Sequence, residues 1–137
     1  MSSIISIGLS GLKAAEAQAN AAAANIVHAG TEGRIPGPGV PPAEAVYQPV
    51  DVVTYDIGRN GKPGGVGYTY SPRQDGYSVI HDPSSPVADG SGNVATPNID
   101  LPTEMVSLVS AKYQYYASAA VIRVGEQMMR TVINMVA

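Results

Sequence analysis

The stretch LPTEMVSLVSAKYQYYASAAVIRVGEQMMRTVINMVA, residues 101–137, decides the fold. Leu101, Leu108, Tyr115, Ile122, Met129 and Val136 recur at strict sevens, and all six are apolar. That spacing marks one face of a long helix. Met105, Ala119 and Ile133 add part of a second row, which Lys112 and Glu126 interrupt, so the coiled-coil pattern is imperfect. Asp100 is placed to cap the start, and Pro102 falls in the first turn, where a helix tolerates a missing N–H. These features predict a helix over residues 100–137.

The other end of the chain reads the same way. Residues 1–30 contain no Pro and only two charges, Lys13 and Glu16. From Ala14 to Ala24, eight of eleven residues are Ala, the best helix former. Ile5, Leu12, Ala19 and Ile26 lie seven apart, and Leu9, Ala15, Ala22 and Ala23 widen the stripe. Ser2 or Ser3 is the expected cap and Gly30 the expected stop. Gly8 and Gly11 weaken the first turns and permit close backbone approach.

Between these helices the composition changes. The chain has 15 Gly and 11 Pro, and 21 of these 26 residues fall between positions 31 and 99. Long helices are excluded there. Short runs rich in Val, Tyr and Thr remain at 45–48, 50–56, 66–70 and 77–81, and they read as strands. Asn60-Gly61 is a hairpin signal. Residues 34–42, RIPGPGVPP, read as an extended linker.

Length then selects the shape. At about 1.5 Å per residue the last helix is about 50 Å long and the first about 40 Å, whereas a compact domain of this size has a radius of gyration of about 14 Å. The two terminal helices are therefore expected to pair lengthwise, with the middle zone projecting from one end. The fold class is α+β, mainly α: residues 1–30 and 100–137 form a helical, coiled-coil-like core, and residues 31–99 form a loop-rich β-hairpin connector. Ile5, Leu9, Leu12, Ala19 and Ile26 are expected to pack within the chain against Leu101, Leu108, Tyr115, Ile122, Met129 and Val136.

Charge adds a second constraint. Only 14% of residues are charged and the net charge is −3, against about 25% charged in ordinary soluble domains. Val106, Val109, Val121, Val124 and Val132 lie off the main stripe, and two helices cannot bury all of them. A sticky helix in a small bundle and many chains packed side by side both account for this pattern.

The chemistry-bearing residues form no set. Zero Cys excludes disulfides, thiolate zinc sites and Cys nucleophiles. His28 and His81 have no partner at metal-ligand spacing. Asp89 to Asn93 (DGSGN) lacks the closing Glu and alternating acids of a calcium loop and reads as a turn. Gly61, Gly64, Gly65 and Gly67 match no phosphate-binding spacing. Asp51 and Asp56 read as ordinary solvated strand residues. The basic residues are scattered, so no nucleic-acid surface is expected. Tyr113, Tyr115 and Tyr116 read as packing material on a helix. No metal, cofactor, small-molecule substrate or catalytic group is expected, so the chain does not read as an enzyme. The first cation, Lys13, follows the apolar start, which is not a secretory-signal pattern, and no run is long enough to insert in a membrane.

Both ends resemble the bacterial flagellar basal-body rod protein family. At the front the resemblance rests on Asn20, Ala24, Asn25 and Ile26, followed by Thr31-Glu32-Gly33. At the back it rests on the run from Asp82 to Asp89, on Gly92-Asn93-Val94, and on Pro97-Asn98-Ile99-Asp100-Leu101 followed by Glu104-Met105-Val106. Ala111, Tyr115, Ala117 and Met129 continue the pattern, which is most similar to the proximal-rod type. The chain departs from the family at His28, Arg34 and Ser118. The resemblance implies a structural subunit with its terminal helices in a tubular wall, assembled with copies of itself, other rod proteins and basal-body base components. It implies a periplasmic site reached through the flagellar type III export route. Val106, Val109, Tyr113, Tyr116, Val121, Val124 and Val132 are then expected at subunit contacts. An export-linked adaptor or cap that binds rod subunits without joining the rod is the alternative reading.

Overall fold

The computed structural model describes residues 2–58 and 64–136. The Asn60-Gly61 turn and the side chains of Ser2 and Ser3 lie outside the described residues. The elements run α1 (Ser2–His28), β1 (Val50–Asp56), β2 (Val66–Pro72), β3 (Tyr77–His81), β4 (Asn93–Pro97) and α2 (Leu101–Val136). The fold is α+β and mainly α, with two long helices packed together and a β-hairpin region between them.

The two helices pair antiparallel. A Cβ built on Gly8 would lie 2.6 Å from Ile122 Cγ1, and one on Gly11 would lie 2.6 Å from Ser118 Oγ; one on Gly125 would lie 3.2 Å from Ile4 Cγ2. The chain can approach this closely only because those positions carry no side chain. Small residues are buried on both helices: Ala111 and Gly125 on α2, and Ala14, Ala15, Ala17, Ala21 and Ala22 on α1, which packs against the β1–β2 hairpin as well as α2.

This seam differs from the expected one. Ile5, Leu12, Ala19, Ile26, Ile122 and Met129 are half-buried, but Leu9, Leu101, Leu108, Tyr115 and Val136 are exposed. The row turned toward α1 is Glu104, Ala111, Ser118 and Gly125, also spaced by seven, three residues after the large apolar row. Small residues let the two backbones come together; Leu101, Leu108 and Tyr115 are displaced to the flank, while Ile122 packs over Gly8. There Leu108 and Tyr115, with Ala15 and Ala19, line an open groove of about 510 Å³.

The connector is more tightly organised than expected. β1 and β2 form the expected antiparallel hairpin, registered from Val50↔Pro72 to Asp56↔Val66. It does not project from the end of the helix pair. It runs back along α1: Asn25 binds Val50 at one end of β1, and Ser10 Oγ accepts from Val66 N at 3.0 Å at the other. The run 45–48 is not a strand; Ala45 makes a single bridge to Arg34. Its place in the sheet pattern is taken by β4, which pairs antiparallel with β3 from Tyr77↔Pro97 to His81↔Asn93. Residues 34–46 are not a free linker either. The loop is closed by Arg34 N to Glu44 O at 2.9 Å, by Val46 N to Arg34 O at 3.0 Å and by an Arg34–Glu44 ion pair. Helix α1 stops at His28, before Gly30, and Thr31 Oγ1 covers the His28 carbonyl at 2.8 Å.

Candidate functional site

Two features stand out: a polar junction that ties the connector to the helix pair, and the uncovered face of α2. The junction begins with Asn25, which is 1% exposed. Its Nδ2 donates to Val50 O at 3.0 Å, while its Oδ1 accepts from Val50 N at 3.1 Å and from Tyr47 Oη at 3.0 Å. One buried amide thus satisfies both backbone groups of the first strand residue, which would otherwise be orphaned against the helix. Tyr47 stacks on His28, ring centroids 4.2 Å apart. Burial raises the Tyr47 hydroxyl above its ordinary pKa, and the nearby Glu104 carboxylate adds to the rise.

Glu104 sits in the first turn of α2 and is 2% exposed. A carboxylate there is stable only with a partner. Arg73, just after β2, supplies it: Nη2 lies 2.5 Å from Glu104 Oε1, and Nη2 and Nε reach Asp51 Oδ1 at 2.7 and 3.0 Å. These hydrogen bonds, that of Asp51 first, raise the guanidinium pKa above its already high value. Arg73 thereby joins both strands of the hairpin to α2. Asp51 is half solvated, but it is a partner of this cluster, which the sequence reading missed. Asp56 accepts from Gly58 N at 2.8 Å.

Gly33 closes the junction from the α1 side. It exchanges two backbone hydrogen bonds with Ala95, both 3.0 Å. A Cβ there would lie 2.5 Å from Val46 N and 2.9 Å from Ala45 C, so backbone approaches where a side chain would stand. At the entry to α2, Asn98 N donates to Gly76 O at 2.9 Å and Asn98 Nδ2 to Asp75 O at 3.2 Å. Pro97 is buried, and Asp100 caps α2 through the Thr103 N–H and hydroxyl. Most of the motif residues named above therefore meet at one end of the helix pair; Asn20 and Met105 remain exposed.

The remaining candidates are accounted for locally. The loop from Asp89 to Asn93 is a turn in which Asp89 Oδ1 accepts from Ser91 N at 2.8 Å and Asn93 N at 2.9 Å. His81 Nδ1 lies 3.2 Å from Asn93 Oδ1. Among the described residues, no three His, Asp or Glu side chains converge on a point where a metal ion could bind, and no helix is long and apolar enough to cross a membrane.

The second feature is the outer face of α2. Val106, Val109, Tyr113, Tyr116, Val121, Val124 and Val132 are all exposed, with Val106 at 69%. Tyr115 and Tyr116 meet edge to face at 6.5 Å, and Lys112 Nζ lies 5.8 Å from the Tyr116 ring centroid. Leu108 and Tyr115 extend this surface into the groove.

The flagellar basal-body rod protein FlgC of Salmonella typhimurium LT2 is 30% identical over 128 residues, which span 92% of this chain and 90% of the relative. The chain belongs to the flagellar basal-body rod protein family. The FlgC protein of Escherichia coli O157:H7 is 37% identical over 51 residues, 37% of this chain and 38% of its own length. The family described as flagellar basal body rod FlgEFG protein C-terminal matches residues 91–135. That rod-family segment covers β4 and nearly all of α2. It contains the junction residues Asn98, Asp100 and Glu104, and most of the exposed face. Arg73 and Tyr47 lie outside it. No motif announced them; an isolated Arg followed by a long gap in cations was the only signal.

Proposed function

We propose that this chain is a structural subunit of the flagellar basal-body rod, acting by packing rather than by catalysis. The observation that carries the reading is uncovered surface, polar and apolar together, that includes the bare apolar face of α2. The chain exposes 8993 Å², whereas a compact monomer of 14.1 kDa exposes about 6,700 Å². The excess of roughly 2,300 Å² is of the order of a stable protein–protein interface. Large apolar residues of α2 contribute to it, and a free monomer rarely leaves such a face bare.

In this reading residues 1–30 and 100–137 form the wall of a tube. Leu108 and Tyr115 in the groove, with Val106, Val109, Tyr113, Tyr116, Val121, Val124 and Val132, contact neighbouring copies and other rod or base components. The connector, held by Arg73 and Asn25, sets the angle at which each subunit meets the next. Stiffness comes from many small contacts, and torque transmission requires no reacting group. The placement is the proximal rod, within the periplasm, reached by the flagellar type III export route. A chain without disulfides and with a small-residue seam is suited to transit in a loosely folded state.

The test separates folding from assembly. Leu108→Asp is expected to keep the helix content of the purified chain and to be absent from isolated basal bodies, with loss of motility. Ile122→Asp, which places a charge against Gly8 in the seam, is expected to unfold the helix pair. Normal motility with Leu108→Asp present in basal bodies would overturn the packing. A wild-type chain present in cells but missing from purified basal bodies would favour the adaptor.

A further inference from the structure

The two edges of strand β1 meet different neighbours. Just outside its ends, Arg73 N donates to Pro49 O at 2.9 Å and Ile57 N donates to Gly65 O at 3.2 Å. In the β1–β2 register, antiparallel alternation then makes Asp51, Val53 and Tyr55 the residues bonded to β2. Val50, Val52, Thr54 and Asp56 turn their N–H and C=O groups to the outer edge. Asn25 occupies that edge at Val50, where its carboxamide meets the N–H at 3.1 Å and the C=O at 3.0 Å. The amide stands in for one residue of a third strand. Further along, among the described residues, no group pairs with the outward backbone of Val52, Thr54 or Asp56.

This edge forms one wall of a cleft of about 460 Å³ between the hairpin and the helix pair. Ala21 and Ala22 line its floor, and their small side chains leave depth above them. Ser110 and Gln114 of α2 stand on the opposite wall. Gln114 Nε2 donates to Ser110 Oγ at 3.3 Å, which leaves the Ser110 O–H and Gln114 Oε1 to meet a ligand. Arg73, Asp51 and Glu104 close one end. That cluster sets two carboxylates against one guanidinium. Both Arg73 bonds to Asp51 fall on Oδ1. Asp51 Oδ2, on a side chain that is 55% exposed, is left for another cation.

We infer that this cleft takes an extended segment of a partner polypeptide, which adds to the outer edge of β1 as a third strand; the inference stands apart from the rod-subunit reading. Hydrogen bonding selects the occupant. Donors and acceptors alternating at strand spacing are matched by another extended backbone, as the Asn25 amide already matches them at Val50. From Val52 to Asp56 the edge is about 13 Å long, enough for about five residues. Side chains of an added strand alternate between faces. Those turned inward lie over Ala21 and Ala22, between Val52 and Val106, a setting that suits Val or Ile. Those turned outward meet water. The excess carboxylate at the closed end favours Lys or Arg at the end of the segment beside Asp51 and disfavours Asp or Glu.

The test is amide NMR on the purified full chain, titrated with the capped synthetic peptides KVTVT and TVTVK, which carry the cation at opposite ends and so cover both strand directions. One of them is expected to shift the Val52 and Thr54 amides and to slow their exchange. The same peptide with Glu in place of its Lys should bind about fivefold more weakly, and a version N-methylated at both Val should not bind. Val52→Pro removes an outward N–H and spares the ladder to β2, because a strand tolerates Pro on its free edge. It should abolish binding while the Val53 amide stays protected. If Val53 loses protection, Thr54→Pro, which removes the next outward donor, gives the reading in its place. A wild-type chain whose Val52 amide responds to neither peptide, or binding that survives both Pro substitutions, would overturn the site. Self-association of the purified chain that Val52→Pro abolishes would assign the edge to a second copy and overturn the separate partner.

Discussion

Around α2, Ala111 and Gly125 are buried against α1, while Leu108 and Tyr115, three or four residues away, look onto an open groove. Both rows keep the same spacing of seven. What separates them is size. The inner row is small enough for two backbones to meet, so its contacts are satisfied within one chain. Leu108 and Tyr115 stay outside that seam and are too apolar to be left in water, whereas Ile122 of the same row enters it over Gly8, where α1 carries no side chain. The comparison teaches that the apolar row most visible in the sequence can be the one reserved for a neighbour, while the chain's own packing uses Ala and Gly.

The largest effect is expected where the inner row turns polar. Arg73→Ala leaves Glu104 buried without its partner, and denaturant unfolding should show a loss of about 3–5 kcal/mol. Replacing both, as Arg73→Met with Glu104→Leu, should recover most of it. A loss below about 1 kcal/mol for the single change would mean that the pair does not clamp the connector. Next is the seam: Ala111→Leu overfills a position that is 1% exposed and should cost about 1–3 kcal/mol. A neutral result there would break the distinction between rows. Asn25→Ala strips Val50 N of its acceptor and should cost about 1–3 kcal/mol, with faster amide exchange at Val50 before any change in the helices. The outer row should matter less in the free chain. Leu108 is 36% exposed, so Leu108→Asp should cost about 1 kcal/mol of unfolding free energy while removing assembly.

A final and smallest effect concerns acid. The Ser84 hydroxyl and N–H hold the Asp82 carboxyl below its ordinary 3.8, and the Asn93 and Ser91 N–H groups do the same for Asp89. Depressed values mean the native turn favours the charged form. Its contribution is complete above the ordinary value and is lost as pH falls through the depressed one. Amide exchange at Ser84, Ser91 and Asn93, corrected for intrinsic rates, should therefore rise first below about pH 4, ahead of α1 and α2.

The architecture was legible because its signals are long-range. The heptad of α2, the Ala-rich run of α1 and the concentration of Gly and Pro between them each span many residues. The β1–β2 hairpin was legible from its Val-, Tyr- and Thr-rich runs and the Asn60-Gly61 signal between them. The rest was hidden for identifiable reasons. Strand β4 (NVATP) ends in a Pro and alternates weakly. The 45–48 run has strand composition, but Asn25 and Arg34 capture its neighbourhood. Residues 34–42 look like a spacer because Pro and Gly dominate, yet closure depends on Glu44 and Val46 beyond them. Close approach at Gly8 and Gly11 and the packing of Ala15 and Ala22 were legible, but the α2 side of the seam was missed because apolar bulk was weighted over smallness: Ala111, Ser118 and Gly125 repeat at sevens as plainly as Leu101, Leu108 and Tyr115. The junction motifs were visible as a resemblance, but their physical roles needed partners from other segments, above all Arg73.

The most direct test of the central claim uses the absence of Cys from the chain. Leu108→Cys and Ala111→Cys are each labelled with a maleimide, first in the purified chain and then in intact basal bodies. Cys at position 108 is expected to react readily in the free chain and to be protected in the basal body, whereas Cys at position 111 is expected to be protected in both. Equal labelling of position 108 in the two states would contradict it.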